Sequence, residues 1–215
     1  MTMTGKSVGL SSSVLSAEIA PLGAELVRLR DQEGRDLLWH GDPAFWAGRA
    51  PLLFPIVGRL PEDELLHDGQ RYGMKQHGFA RRSTFEVVEE EPARAAFRLL
   101  PSAETRAQYP FAFALDVAYV LDGATLTITG TVRNPGSDSL PASFGFHPAF
   151  LWPLPYGGSR ADNRLLFETP ESEPVHRPVE GLLSATTEPN PAASGIIAPD
   201  DALFERDAVI FQTIR

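Results

Sequence analysis

The stretch that most constrains this chain is residues 117–133. Val117-Ala118-Tyr119-Val120-Leu121 and Leu126-Thr127-Ile128-Thr129-Gly130-Thr131-Val132 flank a break containing Asp122-Gly123. Both runs are rich in β-branched and aromatic residues. Asp-Gly between such runs marks a hairpin, because Gly takes positive φ without a Cβ penalty. Leu126, Ile128, Gly130 and Val132 fall on one face, and Thr125, Thr127, Thr129 and Thr131 on the other. That period of two predicts a strand with one buried and one wet face. Residues 14–19, 24–29, 36–39, 84–89 and 95–100 are further strand-like runs, separated by turn clusters such as Asp31-Gln32-Glu33-Gly34. One short helix is predicted over residues 103–109, with Ser102 as its cap. The 19 prolines and 18 glycines are spread along the chain, as many strands joined by turns require.

The expectation is therefore an all-β chain. Residues 1–13, small and polar, read as a loose leader, and residues 14–215 as a single domain large enough to bury a core. Residues 170–199 lack periodicity and read as irregular surface loop rather than a linker. The formal net charge of −9 argues against a nucleic-acid partner, which needs a basic face. A small phosphorylated ligand stays open, since one or two arginines can hold it. The absence of cysteine removes disulfides and thiolate chemistry, and leaves only His and carboxylate ligands for zinc. No signal peptide and no apolar stretch of bilayer length is read, so no membrane partner is expected and a cytoplasmic location is the default expectation. Oligomeric state is not legible.

Three clusters could carry chemistry. Arg49 and Arg59 bracket the apolar run Ala50-Pro51-Leu52-Leu53-Phe54-Pro55-Ile56-Val57-Gly58. His77 stands in Met74-Lys75-Gln76-His77-Gly78-Phe79-Ala80-Arg81-Arg82, and His147 in Phe144-Gly145-Phe146-His147-Pro148-Ala149-Phe150. A single histidine beside aromatics is more often a satisfied structural group, and that is the whole reading for His40, His67 and His176. Arginines beside turns are more often solvated or paired with a carboxylate. Taken together, however, two histidines flanked by arginines would make a cationic pocket in an acidic protein. Histidine can give and take a proton near neutrality, and arginine forks hold hydroxyl or phosphate oxygens. Phe79, Phe144, Phe146, Phe150 and Trp152 are candidates to cover the apolar face of a sugar ring.

These three motifs, in this order and with Asn134 between the second and third, resemble the aldose 1-epimerase (galactose mutarotase-like) family. They look most like its bacterial branch near the hexose-6-phosphate epimerases. The resemblance runs from about Leu15 to the last residue. It implies a large antiparallel β-sandwich, the galactose mutarotase-like supersandwich. It further implies interconversion of the α and β anomers of a hexose or hexose phosphate by acid–base ring opening, without metal or organic cofactor. Matched position by position, His147 corresponds to the family's general acid toward the ring oxygen. His77 corresponds to the histidine that holds the substrate near that oxygen. Arg59 matches an arginine that binds sugar hydroxyls, and Asp207 resembles the acidic residue that binds the sugar on a late strand, with Asp201 weaker. Arg81, and after it Arg49, match arginines that recognise phosphate in the hexose-phosphate branch.

The family's general base is a glutamate near the C-terminus, and no residue here matches it. Glu205 lies near Asp207 in a different context, so no base is assigned. The C-terminal strands that would carry that glutamate are expected to be missing. Three readings follow: a fragment, which is favoured; a naturally short chain completed by a partner; or a degenerate member that binds sugar without turnover. The functional alternatives to an epimerase are thus a non-catalytic carbohydrate-binding protein and a structural sandwich with a vestigial pocket.

Overall fold

Alternating burial along the strands builds two antiparallel sheets on one core in the first part of the molecule. The structure, a computed structural model, describes residues 5–214 and divides into two compact units, Met1–Leu151 and Trp152–Arg215. In the first unit, β1 (Val8–Ser11), β2 (Leu15–Ala20) and β3 (Glu25–Asp31) form a sheet in that order. Next come three short strands, β4 (Leu52–Leu53), β5 (Glu64–His67) and β6 (Gln70–Gly73), of which β5 and β6 pair as a hairpin. The larger sheet contains β7 (Glu86–Glu91), β8 (Arg94–Leu99), β9 (Ala114–Asp122) and β10 (Thr125–Arg133), ordered β10-β9-β8-β7. A short helix, α1 (Ala103–Arg106), lies between β8 and β9, and β11 (Gly145–Phe146) pairs with β4.

The two larger sheets bury their apolar faces in one cluster. Ile19 and Leu26 enter it from the first sheet, and Phe97, Leu115, Val117 and Tyr119 from the second. Ile19, Phe97, Leu115 and Val117 have no exposed surface. Each such side chain contributes about 1.5–3 kcal/mol relative to exposure. The Tyr119 hydroxyl crosses to donate to the Ala24 carbonyl at 2.6 Å. Burial disfavours the phenolate and pushes its pKa well up. The architecture is an all-β sandwich, all-β as the strand pattern predicted and a sandwich as the family resemblance implied, with two short α-helices among the described residues.

The hairpin at residues 117–133 forms with its threonine side outward, but its turn is shifted by one residue. Asp122 still pairs with Thr125, so the two loop residues are Gly123 and Ala124. Gly123 supplies the positive φ, 53°, that the first loop position needs. The predicted helix is confined to α1. Ser102 caps it reciprocally with Thr105, whose hydroxyl accepts the Ser102 N–H at 2.8 Å. Two expectations are corrected. Within the supposed loose leader, Val8–Ser11 is strand β1, and Val8 and Leu10 are buried in the core; residues 1–4 lie outside the described residues.

The second correction concerns the stretch read as irregular loop over residues 170–199. The second unit holds β12 (Leu165–Leu166), β13 (Val175–Val179), β14 (Leu182–Glu188), β15 (Ile196–Ile197) and α2 (Asp201–Phe204). β13 and β14 form a hairpin through Glu180-Gly181, both at positive φ, and β12 pairs with β15. No helix among the described residues is long and apolar enough to cross a membrane.

Candidate active site

The apolar run becomes buried backbone over residues 50–55 because its side chains enter the core: Leu52 and Phe54 are at most 1% exposed. Phe54 packs on Phe113 at 5.2 Å and on Phe79 and Tyr109 at 6.0 and 6.2 Å, giving the site an aromatic floor. Its carbonyl accepts from the Phe79 and Ala80 N–H groups at 3.0 and 3.2 Å. The turn that carries His77 is thereby fastened to this floor. Gly78 lies directly against the Phe54 carbonyl, where any Cβ would collide with it, and has φ +68°. Here the sequence needs glycine for both space and conformation.

His77 has φ +65° and is half-buried. Its N–H donates to the Gly58 carbonyl at 2.8 Å, and its Nδ1 accepts from the Gly58 N–H at 3.0 Å. His147 arrives from the other side. Tyr109 donates to the Pro141 carbonyl at 2.8 Å and Ser143 N–H to Pro55 O at 2.8 Å. Beyond β11, the Ala149 N–H donates to the Arg49 carbonyl at 2.8 Å and the Trp39 N–H to the Ala149 carbonyl at 2.9 Å. The His147 ring is exposed on one side and backed by Trp46 at 5.3 Å, and its centroid is 5.9 Å from that of His77.

Arg81 faces both histidines. Burial holds the His77 pKa below its ordinary value, with further lowering from Arg81, His147 and Arg82. Burial and Arg81 do the same to His147. Arg81 donates from Nη2 to the Gln76 carbonyl at 3.2 Å, while its buried Nε finds no hydrogen-bond partner among the described residues. Two partly desolvated imidazoles beside a guanidinium can orient hydroxyl groups and move a proton between oxygens.

The other sequence-derived candidates fall in different settings. Arg59 grips Asp63 with two bonds, Nε to Oδ1 at 2.7 Å and Nη2 to Oδ2 at 2.8 Å. The Arg49 guanidinium packs against Gly41, and the Arg49 and Ala50 N–H groups both donate to the Glu25 carboxylate, at 2.7 and 2.9 Å. Asp207 belongs to the second unit, where its carboxylate accepts the Ala208 N–H at 2.7 Å. Asp201 begins α2 and pairs with Arg160. His67 packs on Phe111, His176 contacts the Ser184 carbonyl through Nδ1, and His40 sits edge-on to Trp39.

Among the proposed sugar-facing aromatics, Phe79 is corrected. It is a core residue, 3% exposed, because its ring completes the cluster with Phe54 and Tyr109. Phe146 and Phe150 are exposed, at 44% and 58%. Trp152, in the second unit, stacks under Arg160 at 3.8 Å. Trp46 and Glu25 were missed. Trp46 carried a signal, an aromatic two residues before Gly48, whose missing side chain leaves room for the indole. Glu25 carried none, because its acceptors' partners are backbone groups remote in sequence.

One cleft of the first unit, about 980 Å³, is lined by Met74, Phe79, Arg82, Arg98 and Leu99 among others, and neither histidine lines it. Geometry and charge, rather than cavity size, single out the histidine pair. Among the described residues no three His, Cys, Asp or Glu side chains gather as a metal ion would require.

Comparison with known proteins gives the chain a lineage. The sequence model of the aldose 1-epimerase family matches residues 6–179. Protein LacX, plasmid, of Lactococcus lactis subsp. lactis is 30% identical over 217 residues, covering 97% of this chain and 73% of the relative. The structure of a galactose mutarotase related enzyme from Lactobacillus acidophilus superposes with a TM-score of 0.89 at 29% identity, over 94% of this chain and 68% of that one. A galactose mutarotase-like protein from Lactobacillus casei ATCC 334 gives 0.77 at 32% identity, over 88% and 65%. The matched span takes in both histidines and the sheets that hold them, and on this ground the chain belongs to the aldose 1-epimerase family.

Proposed function

We propose that this chain engages a hexose or hexose phosphate and serves interconversion of its anomers. The observation that carries the reading is the juxtaposition of His77 and His147, 5.9 Å apart and both facing Arg81. Family membership supports it, as do relatives described as galactose mutarotase related. In this reading His147 is the acid that protonates the ring oxygen, and His77 holds the substrate near that atom. A base removes the anomeric proton as the ring opens. The aldehyde rotates, and closure on its other face gives the other anomer. Each placed acid or base supplies about 10²–10⁴-fold in rate. Arg59 is assigned to sugar hydroxyls, and Arg81 and Arg49 to a phosphate group. The base is not assigned to any residue of this chain.

A second reading, sugar binding without turnover, rests on a specific observation. The carboxylates beside these cations are already engaged: Glu25 by two backbone N–H groups and Asp63 by Arg59. Freshly dissolved α-glucose, α-galactose and their 6-phosphates, followed by polarimetry or NMR above the spontaneous rate, separate the two. Acceleration that His147→Ala largely abolishes supports the epimerase. Saturable binding without acceleration supports the second reading. Neither binding nor acceleration with any of these sugars sinks both.

A further inference from the structure

We propose that Gly58 is a positioning residue whose peptide N–H locks His77 in the neutral Nε2–H tautomer. This makes His77 a fixed hydrogen-bond donor and leaves His147 as the histidine that exchanges a proton. The division of labour rests on the sugar reading above; the tautomer does not.

The argument is one of donors and acceptors. A peptide N–H can only donate, and the Gly58 N–H lies 3.0 Å from His77 Nδ1. That nitrogen must therefore offer its lone pair, and the single proton of the neutral ring belongs on Nε2. A second bond removes the freedom to rearrange. The His77 N–H donates back to the Gly58 carbonyl at 2.8 Å, so the two residues are clasped through both peptide groups and the ring. His77 holds a positive φ, +65°, and Gly58 has φ +85°; both conformations serve this clasp. Protonating Nδ1 would set two N–H groups face to face and break the bond. The charged groups facing His77 are Arg81, Arg82 and His147, and all three disfavour a second proton.

His147 is the contrast. Among the described residues no hydrogen bond holds either of its ring nitrogens, and its ring is merely backed by Trp46. It can accept or release a proton without breaking a bond in the protein. The two histidines thus acquire different chemistry from one backbone N–H.

The test uses the whole chain labelled with ¹⁵N-histidine and two-bond ¹H–¹⁵N correlation of the imidazoles at pH 8 without ligand. His77→Gln and His147→Gln assign the signals. The expected spectrum shows His77 as one tautomer, Nδ1 pyridine-like and Nε2 pyrrole-like, and His147 averaged between two. An Nδ1–H or averaged His77 overturns the proposal. Gly58→Ala, which has room for its methyl but strains a positive φ, should convert His77 to an averaged ring; should it not fold, the wild-type spectrum still decides. A second arm compares His77→Gln, which keeps a donor near the Nε2 position, with His77→Asn, which keeps only the acceptor for Gly58. Sugar binding should survive the first and fall about tenfold in the second. The reverse order overturns the donor role. If the wild-type chain binds no sugar, the functional reading fails while the spectrum still decides the tautomer.

Discussion

The imidazoles of His77 and His147 stand 5.9 Å apart, so a proton on His147 raises the cost of one on His77. Burial lowers both pKa values first, and Arg81 lowers both further. Both midpoints should fall below the ordinary 6.5 when followed by their Cε1 proton shifts. Arg81→Gln should raise both, and no movement in either would remove Arg81 from the site. The sign for stability follows. The unfolded chain binds these protons more readily, so their contribution is complete above 6.5 and is lost as pH falls through the folded midpoints. Carboxylates such as Asp31 and Asp36, held low by arginines, act only below about 4. A stability slope between those limits that His77→Gln/His147→Gln abolishes would locate the effect in this pair.

Gly78→Ala should destabilise the fold severely, by about 3 kcal/mol or more. Its Cβ has no room against the Phe54 carbonyl, which already receives the Phe79 and Ala80 N–H groups. Gly123→Ala provides the comparison. It also has positive φ but open space around it, and should cost only about 1–2 kcal/mol. Chemical denaturation of the two variants checks the order. Equal losses would mean that backbone conformation, not contact with Phe54, fixes the His77 turn.

Much of this was legible from the residues, for identifiable reasons. Thr127 and Thr129 alternate with Leu126 and Ile128, and that pattern is the strand itself. Ser102 announced α1 because a cap is local chemistry. The β13–β14 hairpin was hidden because Pro178 and a bulge after His176 interrupt its alternation, and its turn uses Glu180 at positive φ. The strand at Val8–Ser11 was hidden because polar neighbours masked two buried residues. The motifs around His77 and His147 pointed to each other only through a family resemblance. Neither Gly58, acting through its peptide N–H, nor Phe79, drawn into the core, could be placed without the backbone's path.

Arg59→Ala should leave the fold almost unchanged while weakening any sugar complex. Its bidentate pair with Asp63 has both partners about two-fifths exposed, and such pairs contribute under about 1 kcal/mol. The hydrogen bond from Arg59 holds the Asp63 carboxyl below its usual range, so this acid should titrate normally in the variant. If Arg59 serves hydroxyl recognition as proposed, affinity should fall about tenfold. Denaturant unfolding beside a sugar titration gives both answers. A large loss of stability would make Arg59 a structural residue instead.

Tyr119→Phe tests the bond between the sheets. The hydroxyl donates to the Ala24 carbonyl at 2.6 Å, and Tyr119 and Ala24 are at most 1% exposed. Removing the hydroxyl leaves a buried acceptor without its donor, which costs about 1–3 kcal/mol. Tyr109→Phe removes a similar bond, to Pro141, but that bond is only part-buried and its acceptor belongs to an exposed residue. Its loss should cost about 1 kcal/mol or less. Both variants should shift the denaturant midpoint without changing the slope, since neither alters the surface exposed on unfolding. A larger loss for Tyr109→Phe would show that the segment leading to His147, rather than the contact between sheets, depends on a tyrosine hydroxyl.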